Sequence, residues 1–438
     1  VSQTIPTGTL PGFPELTPAE QIAFDRMKEA IRATYERFGF APVETPAVER
    51  PEVLFAKEGG ETSRQVYRLE HEGMALRFDH TVPLARFVAA HRHELAFPFR
   101  RYAIGKVWRG ERAQKGRFRE FYQCDIDAVG QGALDLAHDA EVIATISAAF
   151  DALAVGDVVF RVSNRKLLAG AARAAGAGDA AAVLRAVDKV DKIGVDAARE
   201  LLAGEGVGAE TLDRIFAVAA VAGAPAEAIA ALRALGIDDP VFAEGLDELG
   251  RVAALAVELG VPASRLRVDA SIARGLDYYT GTVFETALAA HPELGSVCSG
   301  GRYDNLAEAY AGAALPGVGA SIGLSRLFAQ LRDAGLVSGG ASSPALALVV
   351  PLGEDRGPAL AAAAALRAAS VPTEVYLEPK KAKNAFAHAD RQGIPVAVAV
   401  GEREAAAGTC TVKSLRTGEQ REVPLAELAE AVRAAARG

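Results

Sequence analysis

The sequence predicts an α+β architecture: an antiparallel sheet flanked by helices, interrupted by an all-helical insertion and followed by a small α/β domain. Three observations predict it. Between Phe40 and Val129, short strand-like runs (APVET, QVYRLE, MALRFDHT, RRYAIGKVWRGE, EFYQCDIDAVG) are separated by turn residues, as in an antiparallel sheet. From about Lys166 to Ser264, alanine, leucine and valine recur at helical spacing between glycines and prolines, as in AAAVLRAVDKV and FAEGLDELGRVAALAVELG. Beyond GLVSGGASSP, a stretch of linker composition, ALALVVPL, PTEVYLE, PVAVAVG and TCTVKSL alternate with helical segments over roughly 95 residues, a normal size for a small domain.

The elements follow in order. TPAEQIAFDRMKEAIRATYERFGF reads as a helix: Thr17 can cap it, Pro18 suits its first position, Glu20 completes a capping box and Gly39 ends it. The strand runs to Val129 hold most of the polar residues of interest. After the helical stretch, strand signals return at RLRVDASIARGLDYYTGTVFETALA, then glycine-rich GSVCSGGRYDNL and a last helix near Ser321. The expected boundaries are 1–165 and 266–333 for the two parts of the first domain, 166–265 for the insertion and 345–438 for the tail.

Composition narrows the function. With 48 basic against 56 acidic residues, the net charge of −8 argues against nonspecific coating of nucleic acid, so any RNA contact must be local. One place invites polyanions: residues 100–119 carry Arg100, Arg101, Lys106, Arg109, Arg112, Lys115, Arg117 and Arg119 against the single acid Glu111. No stretch approaches the run of about 18 apolar residues that spans a bilayer, and VSQTIPTGTLPGF has neither the basic start nor the apolar run of a secretory signal, so no membrane association and a cytoplasmic location are expected. Cys124, Cys298 and Cys410 are odd in number and lack CxxC spacing, which reads as reduced thiols without a disulfide or a zinc site; no metal-ligand set is expected. His91 and His93 have no third ligand nearby, and GVGASIG misses the dinucleotide fingerprint.

In WRGERAQKGRFREFYQCDID, Arg109 and Glu111 share one face at strand spacing, and Phe121, Gln123, Asp125 and Asp127 share one face of the return strand. Such a ribbon can offer guanidinium groups to phosphate, a flat ring to adenine and acceptors to a cationic amine. Charge content alone is equally that of a solvated basic hairpin.

The whole hairpin resembles motif 2 of class II aminoacyl-tRNA synthetases, in the form with QKGR in its loop seen in the histidyl-tRNA synthetase family. ERFGFAPVETPAVE, with Pro46, resembles motif 1, the dimer-forming helix and strand, and GVGASIGLSRLFAQL, with Arg326, resembles motif 3. ARGLDYYTGTVFE (273–285) and SGGRYDNL (299–306) resemble signatures particular to the histidine enzymes. PTEVYLEPKKAKNAFAHADRQGIPVAVAVGEREAAAGTCTVKSL resembles their α/β anticodon-binding domain, with Lys380, Lys381 and Lys383 toward RNA.

The resemblance implies a class II synthetase fold, ligation of L-histidine to tRNA(His) with ATP and Mg2+, and a homodimer. It implies that Asp79, Thr81 and Gln123 hold the substrate amino group, that Asp127 and Tyr279, walled by Tyr278, hold the imidazole, and that Arg274 is the catalytic cation at the α-phosphate. Arg109 would join it there, with Glu111 and Arg117 near the nucleotide, Phe121 on adenine and Arg326 toward the γ-phosphate. Two positions depart from the pattern: Ser325 stands where an acid usually precedes the motif 3 arginine, and Asp79 where many bacterial members have glutamate. The competing reading is a catalytically silent relative of the histidyl-tRNA synthetases that serves as a histidine-sensing regulatory subunit of ATP phosphoribosyltransferase, in which eroded ATP residues, loss of the RGLDYY-type segment and loss of the tail would be expected. Arg109, Arg274, Arg326 and the tail are all present.

Overall fold

The computed structural model describes residues 7–55, 65–70, 73–114, 116–177, 179–272, 278–306, 310, 312, 314–337, 339–378 and 382–437. They fall into two compact units, one built mainly on Met27–Leu336 and the other mainly on Val337–Gly438. No described helix is long and apolar enough to cross a membrane. Helix α1 (Pro18–Arg37) starts where expected, with the Glu20 half of the capping box formed: the Thr17 backbone N–H donates to the Glu20 carboxylate at 2.8 Å, and the Thr17 hydroxyl donates to the same carboxylate.

The first unit is organised on β1 (Ala41–Pro42), α2 (Thr81–His91), β2 (Phe99–Trp108), β3 (Glu120–Val129), α3 (Ala137–Leu153), β4 (Val158–Asn164), α4 (Arg165–Ala174), β5 (Ala222–Gly223), α5 (Pro240–Glu258), β6 (Leu266–Asp269), β7 (Thr282–Leu288), β8 (Cys298–Tyr303), β9 (Gly317–Ile322) and α6 (Leu324–Asp333). The strands form one nine-stranded sheet in the order β1-β2-β3-β9-β8-β7-β4-β6-β5. From β2 to β4 every pairing is antiparallel, as expected, but β1–β2 and β4–β6 are parallel. Both parallel pairs join strands separated by long excursions, and parallel neighbours need such a crossover whereas antiparallel ones can turn tightly. The helical stretch is the crossover from β4 to β6, and it also lends β5 to the sheet edge.

Helices α4 and α5 of that stretch pack on each other, and α5 also lies against α3 and β4. Their close approach needs Gly170, where a Cβ would come within 2.5 Å of the Phe242 nitrogen. Asp239 caps α5, accepting from Val241 and Phe242 N–H at 2.8 and 3.1 Å, and Arg173 of α4 donates to the same carboxylate at 2.7 Å.

The second unit comprises β10 (Ala347–Pro351), α7 (Gly357–Ala368), β11 (Thr373–Val375), α8 (Ala382–Gln392), β12 (Val396–Val400), β13 (Thr409–Ser414), β14 (Gln420–Pro424) and α9 (Leu428–Arg437). Its sheet runs β11-β10-β12-β13-β14, parallel among the first three strands and antiparallel thereafter. Val349, Val396, Val398, Leu366, Val412 and Val432 fill one face of it.

Candidate active site

Alternation along β3 places Phe121, Gln123, Asp125 and Asp127 on the wall of a cavity of about 380 Å³ in the first unit. The ladder partners of the last two residues build its floor. On one side Asp127 is opposite Arg101 of β2, and on the other it is opposite Gly319 of β9. Arg101 and Asp127 are both buried and form an ion pair at 2.7 Å, while the Tyr303 hydroxyl donates to the other Asp127 oxygen at 2.8 Å. Gly319 leaves room for this: a Cβ there would lie 2.2 Å from Asp127 Oδ1.

Asp79 sits just ahead of α2, where its Oδ1 accepts from the Val82 N–H at 3.0 Å, and Thr81 opens that helix beside it. Tyr278 packs edge-on against Tyr279 and Tyr303, with ring centres 5.1 and 5.8 Å apart. Three buried carboxyls thus share one region. Burial pushes Asp125 up to about 7 and Asp127 up to about 6, with Arg101 pulling both back, and burial also raises Asp79 against its backbone hydrogen bonds. A site with surplus carboxylates and partly filled acceptors is built for a cation or a hydrogen-bond donor.

The other end of the cavity is cationic. Arg109 lies over the rings of Phe78 and Phe121, 4.3 and 5.2 Å from their centres, and donates to the Phe78 carbonyl at 3.3 Å. Arg117 pairs with Glu111 at 3.4 Å, and the Glu111 carbonyl accepts from Arg119 at 2.9 Å. Arg326, the third residue of helix α6, donates to the Leu294 carbonyl at 3.3 Å; burial, then the Arg117 charge, holds its pKa below the usual arginine value. Cations gathered in this way suit a polyphosphate. Ser325 itself accepts from the Tyr122 N–H at 2.9 Å, so here the residue before the arginine ties α6 to β3 and the carbonyl of Leu294 steadies the guanidinium.

All the expected binding residues except one line this single cavity: Asp79, Thr81, Gln123, Asp127, Tyr278 and Tyr279 at the acidic end, and Arg109, Glu111, Arg117, Phe121 and Arg326 at the cationic end. Arg274 lies outside the described residues, as do Lys380 and Lys381; Lys383 is exposed on α8. Sequence reasoning passed over Arg101, Tyr303, Ser321 and Glu285. Strand parity could have found Arg101, which lies two-residue steps before Arg109, but it sits within a run of basic residues that reads as solvated. Cys298 is buried at the cavity wall and burial pushes its thiol up, which makes it packing and not a nucleophile.

Residues 12–327 match the histidyl-tRNA synthetase family, and residues 347–435 match the anticodon-binding domain family. The chain belongs to the histidyl-tRNA synthetase family. It is 47% identical over 421 residues to a histidine–tRNA ligase of Clostridium tetani, covering 95% of this chain and 96% of that one. It is 50% identical over 448 residues to the histidine–tRNA ligase of Xylella fastidiosa, covering 96% of each. Among solved structures, the histidyl-tRNA synthetase of Nostoc sp. PCC 7120 superposes with a TM-score of 0.89 at 40% identity, covering 98% of this chain and all of that one. A Bacillus halodurans structure described as an ATP phosphoribosyltransferase regulatory subunit/histidyl-tRNA synthetase shares the fold, with a TM-score of 0.74 at 20% identity over 88% of this chain and 97% of that one. The class II synthetase-type sheet and the separate α/β unit are those of this family of aminoacyl-tRNA synthetases.

Proposed function

We propose that the chain is a histidine–tRNA ligase that joins L-histidine to ATP as histidyl-adenylate with release of pyrophosphate, then passes histidine to the 3′-terminal adenosine of tRNA(His). The observation that carries this is the two-ended cavity, which puts carboxylates and tyrosines within one volume with guanidinium groups and a stacking ring. At the acidic end, Asp79, Thr81 and Gln123 take the substrate ammonium, and Asp127 and Tyr279 take the imidazole. An amino acid lacking the ring nitrogens leaves those buried groups unpaired, which is a strong basis for rejection.

At the cationic end, Phe121 stacks on adenine, Glu111 and Arg117 hold the nucleotide, Arg326 reaches the γ-phosphate, and Arg109 with Arg274 faces the α-phosphate. The histidine carboxylate attacks the α-phosphorus in line as the bond to pyrophosphate breaks. Guanidinium groups already fixed in place stabilise the charge on the phosphoryl oxygens without reorganising. Glu111 and Glu285 line this end and would offer oxygen donors to a divalent ion arriving with ATP, so the residues fit Mg2+. When bound, Mg2+ neutralises phosphate charge. In the transfer step a ribose hydroxyl of the terminal adenosine attacks the adenylate carbonyl.

The same reading extends to the whole chain: a catalytic domain from 1–165 and 266–333, a helical insertion at 166–265, an anticodon-binding domain at 345–438 that brings Lys380, Lys381 and Lys383 to tRNA, a homodimer formed through the Pro46 region, and a cytoplasmic location. The test is histidine-dependent exchange of labelled pyrophosphate into ATP, with each other amino acid as control. Exchange with histidine alone, abolished in Arg109→Ala and Arg274→Ala, is the expected result; histidine binding without exchange would establish the regulatory reading instead.

A further inference from the structure

Gln123 has an amide whose two ends do opposite things: its nitrogen donates and its oxygen accepts. Only the oxygen can receive a substrate ammonium. Something must therefore fix which way the amide faces, and the cavity contains the means. The Gln123 nitrogen donates to Ser321 Oγ at 2.9 Å, and Gln123 Oε1 is buried with no hydrogen-bond partner among the described residues. Ser321 is directly opposite Asp125 across the β3–β9 ladder. A serine hydroxyl has one proton to give. Given to Asp125, which once ionised above about pH 7 can only accept, it leaves Ser321 Oγ able only to accept from Gln123.

We propose that Asp125 is a positioning residue for the substrate amino group: through Ser321 it locks the Gln123 amide with its oxygen toward the ligand. The proposal rests on the reading of Gln123 as an ammonium acceptor. Three features support it. Asp125 is 2% exposed and lines the cavity, yet one of its oxygens has no hydrogen-bond partner among the described residues, and no ion pair there takes up its carboxylate as Arg101 takes up that of Asp127. The Ser321 hydroxyl is a hydrogen-bond partner of Asp125 that favours its ionised form, a smaller influence than the burial that raises its pKa. And the relay belongs to two strands of the central sheet, so its geometry is rigid. Were the amide reversed, its NH2 would face the ammonium, donor against donor, which is repulsive as well as unbonded.

The experiment compares histidine with imidazolepropionate, which keeps the ring and carboxylate but lacks the amine, by calorimetric titration at pH 8, where Asp125 is mostly ionised, of the wild type and of Gln123→Ala, Asp125→Asn, Ser321→Ala and the Asp125→Asn/Ser321→Ala double variant. An asparagine at 125 can donate to Ser321 and so frees the amide to turn. Asp125→Asn and Ser321→Ala should each weaken histidine by about tenfold, the size of one charge-assisted hydrogen bond, while leaving imidazolepropionate within about twofold. The double variant should be no weaker than either single one, because both break the same relay. In pyrophosphate exchange the loss should appear in KM for histidine with kcat little changed. Ser321 is partly exposed, so its variant keeps the test open should Asp125→Asn fail to fold. If Gln123→Ala loses selectivity for the amine while Asp125→Asn and Ser321→Ala do not, the relay is wrong and the reading of Gln123 stands. Equal loss of both ligands in Gln123→Ala sinks that reading, and the relay with it.

Discussion

Strands β3 and β12 are both buried along most of their length, and they bury opposite things. Val396–Val400 in the second unit is VAVAV, every residue inside, with nothing to offer a ligand. Gln123–Val129 in the first unit is equally enclosed but carries two aspartates, a glutamine and a free thiol. Enclosing valine is favourable, by roughly 25 cal/mol for each Å² of apolar surface removed from water. Enclosing a carboxylate is costly unless a partner compensates it, and stability would be served as well or better by an apolar residue of similar shape. A fully buried strand that nonetheless keeps its acids therefore marks where the fold gives up stability for binding, and the partner that makes this tolerable is Arg101.

That contrast can be broken at several points. Arg101→Met should have the largest effect: it leaves Asp127 buried without its 2.7 Å partner, a loss of about 3–5 kcal/mol by the usual measure of a broken buried pair. Denaturant unfolding should show it directly, and histidine-dependent exchange should vanish. Gly319→Ala comes next. Its Cβ would meet Asp127 Oδ1 at 2.2 Å and the Ile126 carbonyl at 2.6 Å, so the floor must move, costing up to about 3 kcal/mol. Histidine KM should rise more than that for ATP, because the displaced carboxylate belongs to the acidic end; an equal change in both would show that the disturbance is general.

In the second unit, Val398→Ala should cost about 2 kcal/mol through lost burial and the void left behind. Every residue lining the cavity belongs to the first unit, so pyrophosphate exchange per folded molecule should be unchanged. Reduced exchange in this variant would mean that activation depends on the second unit.

Period and turn residues were enough to read the order of elements, the helical stretch and the α/β tail, because each segment's burial follows its own pattern. The parallel edge pairs were not legible, since pairing direction depends on where a distant strand lands and not on local alternation. Within the site, alternation exposed Gln123 and Asp127 at once, and the family motifs supplied Asp79, Arg109 and Arg326. Arg101 was hidden by its basic neighbours: only the sheet register shows that one arginine of that run is turned inward beneath Asp127 while Arg117 and Arg119 belong to the loop. Asp125 was visible on the same face but had no evident task until Ser321, nearly two hundred residues later in the chain, was found opposite it. Ser325 stands where an acid usually precedes Arg326, and the guanidinium is steadied by a backbone carbonyl from another segment.

The smallest expected effect separates the two strands by their response to pH. Asp125 carries a pKa raised to about 7 from 3.8, chiefly by burial. Between those values the folded chain holds a proton that the unfolded chain has released, so stability falls as pH rises from about 4 and the full penalty is reached above about 7. Asp127, raised to about 6, titrates in part of the same window, and burial raises Asp79 beside them as well, while Arg77 stays charged and Tyr279 and Cys298, which also face Asp125, stay neutral throughout it. Asp125→Asn removes one of these titrating carboxyls. Without ligand, the variant should therefore melt a few degrees above the wild type at pH 8, with the difference shrinking toward pH 5, where the wild-type carboxyl is mostly protonated; a residual slope from Asp127 should persist. Val398 has no proton to exchange, so the deficit of Val398→Ala should be the same at both pH values. A pH-independent difference in Asp125→Asn as well would mean that Asp125 titrates alike in the folded and unfolded chain, and that β3 carries its second acid at no electrostatic cost.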